Sequence, residues 1–140
     1  MRVEPYLYFN GRCEEAVEFY RQSVGATLNV LTRFKDVPGS QAPAGAENKI
    51  LHADLKIGET TILASDGECD GKPNFQGFSL AITAGKDADA DQLFEAFCDG
   101  GRIQVPLTAT PFASRFGMVA DRFGVLWTIV AYGQTAGVQN

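Results

Sequence analysis

Hydrophobic and polar positions along this chain form a pattern that is stated twice. Residues 6–66 read as strand, helix, strand and hairpin, and residues 75–132 read in the same order at nearly the same lengths. Tyr6-Leu7-Tyr8-Phe9 is a short aromatic and apolar strand. Asn10-Gly11 turns it into a helix predicted over 13–24, where Ala16, Val17, Phe19, Tyr20 and Val24 recur at three- and four-residue steps as a core-facing stripe. Glu14 and Glu15 suit the positive end of that helix, and Gly25 supplies its stop. A strand over 27–34 follows, then an irregular loop over 36–48 rich in Pro, Gly, Ala and Ser. A hairpin of 50–57 and 60–65, turned on Gly58-Glu59, closes the first unit.

The second unit repeats the order. A strand over 77–83 leads to a helix over 87–99 with Leu93, Phe94 and Phe97 on its inner face. A strand over 102–107 comes next, and Pro106 with Pro111 marks it as an edge or as ending early. The closing hairpin pairs 116–120 with 125–131 around Asp121-Arg122-Phe123-Gly124, and 133–140 reads as a frayed tail. The expected organisation is therefore α+β, with one module over about 1–66, a linker over 67–74 and a second module over about 75–132. One helix covers one face of a four-stranded sheet and leaves the other open, so two such units are expected to enclose a cavity that holds any function.

Alternation assigns side chains to the two faces. Leu51, Ala53, Leu55 and Ile57 belong under the first helix, which turns His52, Asp54 and Lys56 towards the cavity. If the hairpin keeps that register, Ile62, Ala64 and Asp66 join them. Leu7 and Phe9 suit the helix side, leaving Tyr6 and Tyr8 on the open side. In the second unit Phe78, Leu80 and Ile82 are expected under the helix, with Gly77, Ser79 and Ala81 inward. A slip of one residue inverts any of these assignments.

His52 is the only histidine and thus the natural acid–base candidate near neutral pH. Asp54 or Asp66 is placed to orient it, and Lys56 to hold an anionic group, giving His52, Asp54 and Asp66 as catalytic candidates. Tyr6, Tyr8, Lys56 and Thr128 are the ligand-binding candidates. The alternative is that these polar positions only line a wet groove or a subunit contact.

Charge and composition narrow the partners. Twelve basic against seventeen acidic residues give a formal charge of −5, with no basic run, which argues against nucleic acid. No apolar stretch approaches the roughly 18 residues of a membrane span, and the start lacks a signal peptide's apolar segment, so a cytoplasmic address is expected. Cys13, Cys69 and Cys98 are an odd number at wide spacing, neither a disulfide framework nor a zinc pattern. Cys13 opens a helix, where the dipole lowers a thiol pKa; its other reading is a small residue packed at a helix start. The run Asp66-Gly67-Glu68-Cys69-Asp70-Gly71 lacks the terminal glutamate of a calcium loop, since Gly77 stands there.

Four segments carry a resemblance to a known family. They are Pro5-Tyr6-Leu7-Tyr8-Phe9-Asn10-Gly11 with Ala16 and Tyr20, His52-Ala53-Asp54-Leu55-Lys56-Ile57 running to Ser65-Asp66, Gly77-Phe78-Ser79-Leu80, and Asp121-Arg122-Phe123-Gly124-Val125-Leu126-Trp127. In these the chain resembles the PhnB-like branch of the vicinal oxygen chelate superfamily, which includes glyoxalase I, bleomycin- and fosfomycin-resistance proteins and extradiol dioxygenases. The resemblance implies a glyoxalase-like fold of paired β-α-β-β-β modules, usually assembled as a homodimer.

It also implies where the superfamily's metalloenzymes place ligands, on the first and last strand of each module. Counting from the hairpin glycines puts the last-strand positions at Ile62 and Thr128. The first-strand positions fall on Gly77 and on Glu4 or Pro5. At most one of the four is a ligand type, so no metal and no cofactor is expected. That branch sometimes carries a 3-demethylubiquinone methyltransferase label, yet no glycine-rich nucleotide-binding turn follows any strand here.

The resulting expectation is a protein that binds a small polar or anionic metabolite without metal, with or without turnover. A metal-dependent lyase, isomerase or dioxygenase is one alternative, and a non-catalytic dimerisation domain the other. The loop over 36–48 is expected to act as a lid or to reach a partner subunit.

Overall fold

The computed structural model describes residues 1–133, so the tail expected over 133–140 lies, from 134 on, outside the described residues. The chain divides into two compact units, Met1–Asn74 and Phe75–Asn140.

The first unit runs β1 (Tyr6–Tyr8), α1 (Cys13–Ser23), β2 (Thr27–Arg33), β3 (Ile50–Ile57) and β4 (Thr60–Ser65). Its sheet has the order β1-β4-β3-β2, with β1 parallel to β4 and the other neighbours antiparallel. Helix α1 lays Cys13, Ala16, Val17 and Tyr20 on the sheet, where they meet the buried Leu7, Phe9, Ala53 and Leu55. Each such large apolar side chain taken from water contributes roughly 1.5–3 kcal/mol, which is what fixes the helix to this face. Between β2 and β3 the irregular stretch opens with a single 3-10 turn, Phe34–Asp36, pinned by the buried Phe34.

The second unit repeats the plan with β5 (Leu80–Ala84), α2 (Asp87–Cys98), β6 (Arg102–Thr110), β7 (Ala113–Ala120) and β8 (Leu126–Ala131), in sheet order β5-β8-β7-β6. Under α2 the Phe97 ring stacks on Trp127, with centroids 4.6 Å apart and planes 11° from parallel. Gly117 of β7 passes directly beneath α2: a Cβ there would stand 2.9 Å from Phe94 Cε1 and 2.8 Å from Leu107 Cα, so only glycine fits. Among the described residues no helix is long and apolar enough to cross a membrane.

Three expectations change. The strand through Pro106 continues to Thr110 as the edge strand β6, and β7 begins at Ala113 rather than 116, turning on Pro111-Phe112. Proline is tolerated because an edge strand leaves one side of its ladder unpaired. Phe78 does not pack under the helix: β5 starts two residues later, and Phe78 is 44% exposed.

The face that β4 presents differs as well. The two-residue turn Gly58-Glu59 sets Asp54 opposite Leu63, Leu55 opposite Ile62 and Lys56 opposite Thr61. Cross-strand partners share a face, so even-numbered β3 positions pair with odd-numbered β4 positions. Ile62, Ala64 and Asp66 therefore lie on the helix side, and Thr61 and Leu63 take the open one.

Candidate functional site

On the open face of the first sheet, Tyr6 and Tyr8 stand two residues apart on β1. Their rings stack at 5.0 Å with planes 9° from parallel, and both are substantially exposed. From β1 the Tyr6 side chain reaches across β4 to β3, where its hydroxyl lies 2.8 Å from His52 Nδ1. Partial burial, then the neighbouring Tyr8, pushes the Tyr6 phenol above its ordinary range, so it keeps a proton to donate near neutral pH. When the Tyr6 hydroxyl donates to Nδ1, the matching imidazole tautomer carries its proton on Nε2.

Asp54 and Lys56 follow His52 on the same face at the two-residue spacing of a strand, about 7 Å per step. Lys56 is exposed, and it makes no ion pair among the described residues. Asp54 is half-buried, and its Oδ1 is sealed from solvent with no hydrogen-bond partner among the described residues. An unmet buried acceptor costs about 1–3 kcal/mol, and the rest of the fold does not satisfy it.

Asp66, the remaining catalytic candidate, is not beside His52. It lies buried on the helix side, where Oδ1 accepts from the Gly11 and Cys13 amides at 2.8 Å each and Oδ2 from the Ile50 amide at 2.7 Å. The reason is local: the N-cap of α1 is Arg12, whose side chain does not cap, so the first amides need an acceptor from elsewhere. That missing cap was the signal by which the sequence announces the role. Cys13 is fully buried at the same spot, where burial, then the Asp66 charge, pushes its thiol well above the usual range, and it is no nucleophile.

Thr128 belongs to the second unit, on the open face of β8, with its Oγ1 2.9 Å from Ser79 Oγ. The second unit's buried aspartate is Asp121, which lies in the β7–β8 turn and not after the last strand. Its carboxylate accepts from the Phe123 and Val125 amides and from Trp127 Nε1 at 2.8 Å, all within its own hairpin.

The residues at the superfamily's ligand positions do not fit a divalent metal. Glu4 is ion-paired to Arg2 at 3.2 Å, Ile62 is buried beneath the helix, and Gly77 and Thr128 offer no charged donor. Among the described residues no three His, Cys, Asp or Glu side chains gather closely enough to hold an ion.

Comparison with known proteins agrees with this architecture. The family model described as 3-demethylubiquinone-9 3-methyltransferase matches residues 1–130. Protein YjdN of Escherichia coli K12 is 31% identical over 138 residues, spanning 92% of this chain and 94% of its own. Among solved structures, protein PA1353 from Pseudomonas aeruginosa is 38% identical with a TM-score of 0.85, over 96% of this chain and 99% of that one. A putative 3-demethylubiquinone-9 3-methyltransferase, PhnB protein, from Bacillus cereus shares the fold at 23% identity and a TM-score of 0.79, over 94% and 99%. So does the fosfomycin resistance protein FosX from Mesorhizobium loti, at 13% identity and a TM-score of 0.66, over 100% and 98%.

Proposed function

This chain belongs to the family described as 3-demethylubiquinone-9 3-methyltransferase, the PhnB-like branch of the glyoxalase-fold vicinal oxygen chelate superfamily, and we propose that it binds a small polar metabolite on the open face of its first sheet without a metal. The single observation that carries this reading is the sealed, partnerless Oδ1 of Asp54 beside the Tyr6–His52 hydrogen bond. Rotation of the Asp54 carboxylate brings that acceptor to a ligand hydroxyl or amine, whose donation offsets the cost of the orphan. Lys56 adds a cation for an anionic group, and the stacked Tyr6 and Tyr8 rings give an apolar platform. If the ligand reacts, His52 is the proton carrier. Its Nδ1 is held by Tyr6, which leaves Nε2 for the proton transfer, the division of labour a general acid–base histidine needs. The partners in this reading are the ligand and a second copy of the chain, in the cytoplasm, in line with the family's usual assembly.

The family's name describes a methyl transfer, but nothing on this face cradles a nucleotide cofactor: among the described residues no glycine-rich turn joins a strand to a helix. A thermal-shift screen across metabolite classes tests the proposal. The expected result is stabilisation by polar compounds carrying a hydrogen-bond donor, lost in Asp54→Ala, whose own melting temperature stays at or above wild type. A response that survives Asp54→Ala overturns it, as does stoichiometric transition metal in protein purified without a histidine tag. No stabilisation by any class leaves the dimerisation domain as the better account.

A further inference from the structure

The second unit carries a cleft of about 540 Å³ that the first-sheet site does not use. That volume is within the range of small-molecule sites. Its walls come from three sources: the segment leading into β5, the start of the edge strand β6, and the open faces of β7 and β8. Phe78, Met118 and Leu126 form an apolar wall, while Gln104, Ser79 and Arg102 bring hydrogen-bonding groups to the same space.

Arg102 distinguishes this cleft from an ordinary wet groove. Of the arginines in the second unit, Arg115 is ion-paired to Asp87 and Asp91, and Arg122 to Asp99. Arg102, at the first position of β6, has no carboxylate partner among the described residues. A guanidinium at the rim of a cleft with an exposed phenyl ring beside it recognises a planar anion with an apolar body. Phe78 is 44% exposed because β5 begins only at Leu80, so its ring is offered to the cleft instead of the core.

We propose that this cleft is a second binding site, selective for small aromatic or ring-bearing carboxylates, with Arg102 taking the carboxylate and Phe78, Met118 and Leu126 the ring. The site stands on the second unit alone and does not depend on the reading of Tyr6, His52 and Asp54.

The test is NMR titration of the full chain with benzoate, benzamide and acetate. Benzoate is expected to bind and to move the amide signals of Ser79, Gln104 and Met118. Acetate, lacking the ring, and benzamide, lacking the charge, are each expected to bind about tenfold more weakly, the loss of one charge-assisted pair or one apolar contact. Arg102→Gln should weaken benzoate about tenfold and leave benzamide unchanged, while Phe78→Ala weakens both. Asp54→Ala should leave benzoate binding untouched, which separates failure of this site from failure of the first. The proposal is overturned if benzoate and benzamide bind alike, or if Arg102→Gln changes nothing. It is equally overturned if benzoate does not bind while Arg102→Gln weakens self-association, since the cleft is then a subunit contact.

Discussion

The two sheets share a topology and differ in what they leave uncovered. The first exposes a titratable row, Tyr6, His52, Asp54 and Lys56, with one carboxylate oxygen unanswered. The second exposes hydroxyls already answered by each other, Ser79 and Thr128, and a cleft of uncharged residues with one arginine at its rim. Each unit also buries one aspartate and satisfies it completely, Asp66 across three elements and Asp121 within one hairpin. Each unit thus gives a buried aspartate to its own scaffold, at a different place in the repeat, while the open faces differ. A carboxylate saturated by backbone amides is there for the fold, and one left unsaturated on an open face is available to a ligand.

Substitutions sharpen that contrast in descending size. Asp66→Ala strips the acceptor from three backbone amides at once and is expected to cost about 3–5 kcal/mol in denaturant unfolding, with hydrogen exchange accelerated first at the start of α1. Asp121→Ala should cost a similar amount but loosen the β7–β8 turn, so identical exchange patterns in the two variants would break the comparison. Gly117→Ala should cost roughly 1–3 kcal/mol by forcing Phe94 and the β6 backbone apart. Asp54→Ala is expected to run the other way, neutral or stabilising by about 1 kcal/mol, because it removes an unmet acceptor. A large loss of stability there would place Asp54 with the scaffold aspartates.

The smallest effect is at the surface. Arg33 grips Glu14 with two hydrogen bonds, at 2.9 and 2.7 Å, and thereby holds the Glu14 carboxyl below its ordinary range. A carboxylate lowered by folding adds stability above its unfolded pKa and loses it as pH falls through the lowered folded value. Both groups are largely solvent-screened, so Glu14→Gln should cost only a few tenths of a kcal/mol at pH 7, and nothing once pH falls well below roughly 4.

Much of this was legible in the chain. Strict alternation in β1 and β3 is enough to set Tyr6, Tyr8, His52, Asp54 and Lys56 on one face, because Ala53 and Leu55 have no other place than under α1. The face of β4 was not, since a side-chain period of two makes register depend on the parity of a turn that composition does not reveal. The same miscount placed Ile62 at a ligand position when it is core. Asp66 was misread as chemistry because a single aspartate looks the same whether it serves a substrate or a helix start. The Arg102 cleft was invisible for a different reason: its walls come from the segment before β5 and from an edge strand, where alternation does not say which side chains meet.

If the first sheet's open face is where a ligand binds, the lone histidine makes that binding directly measurable. Nitrogen NMR of the His52 ring reports both nitrogens without overlap from any other histidine. The free protein is expected to show the tautomer protonated on Nε2, with the Nε2 signal shifting on addition of any compound that raises the melting temperature through Asp54. A stabilising ligand that leaves both His52 nitrogen signals unmoved contradicts it.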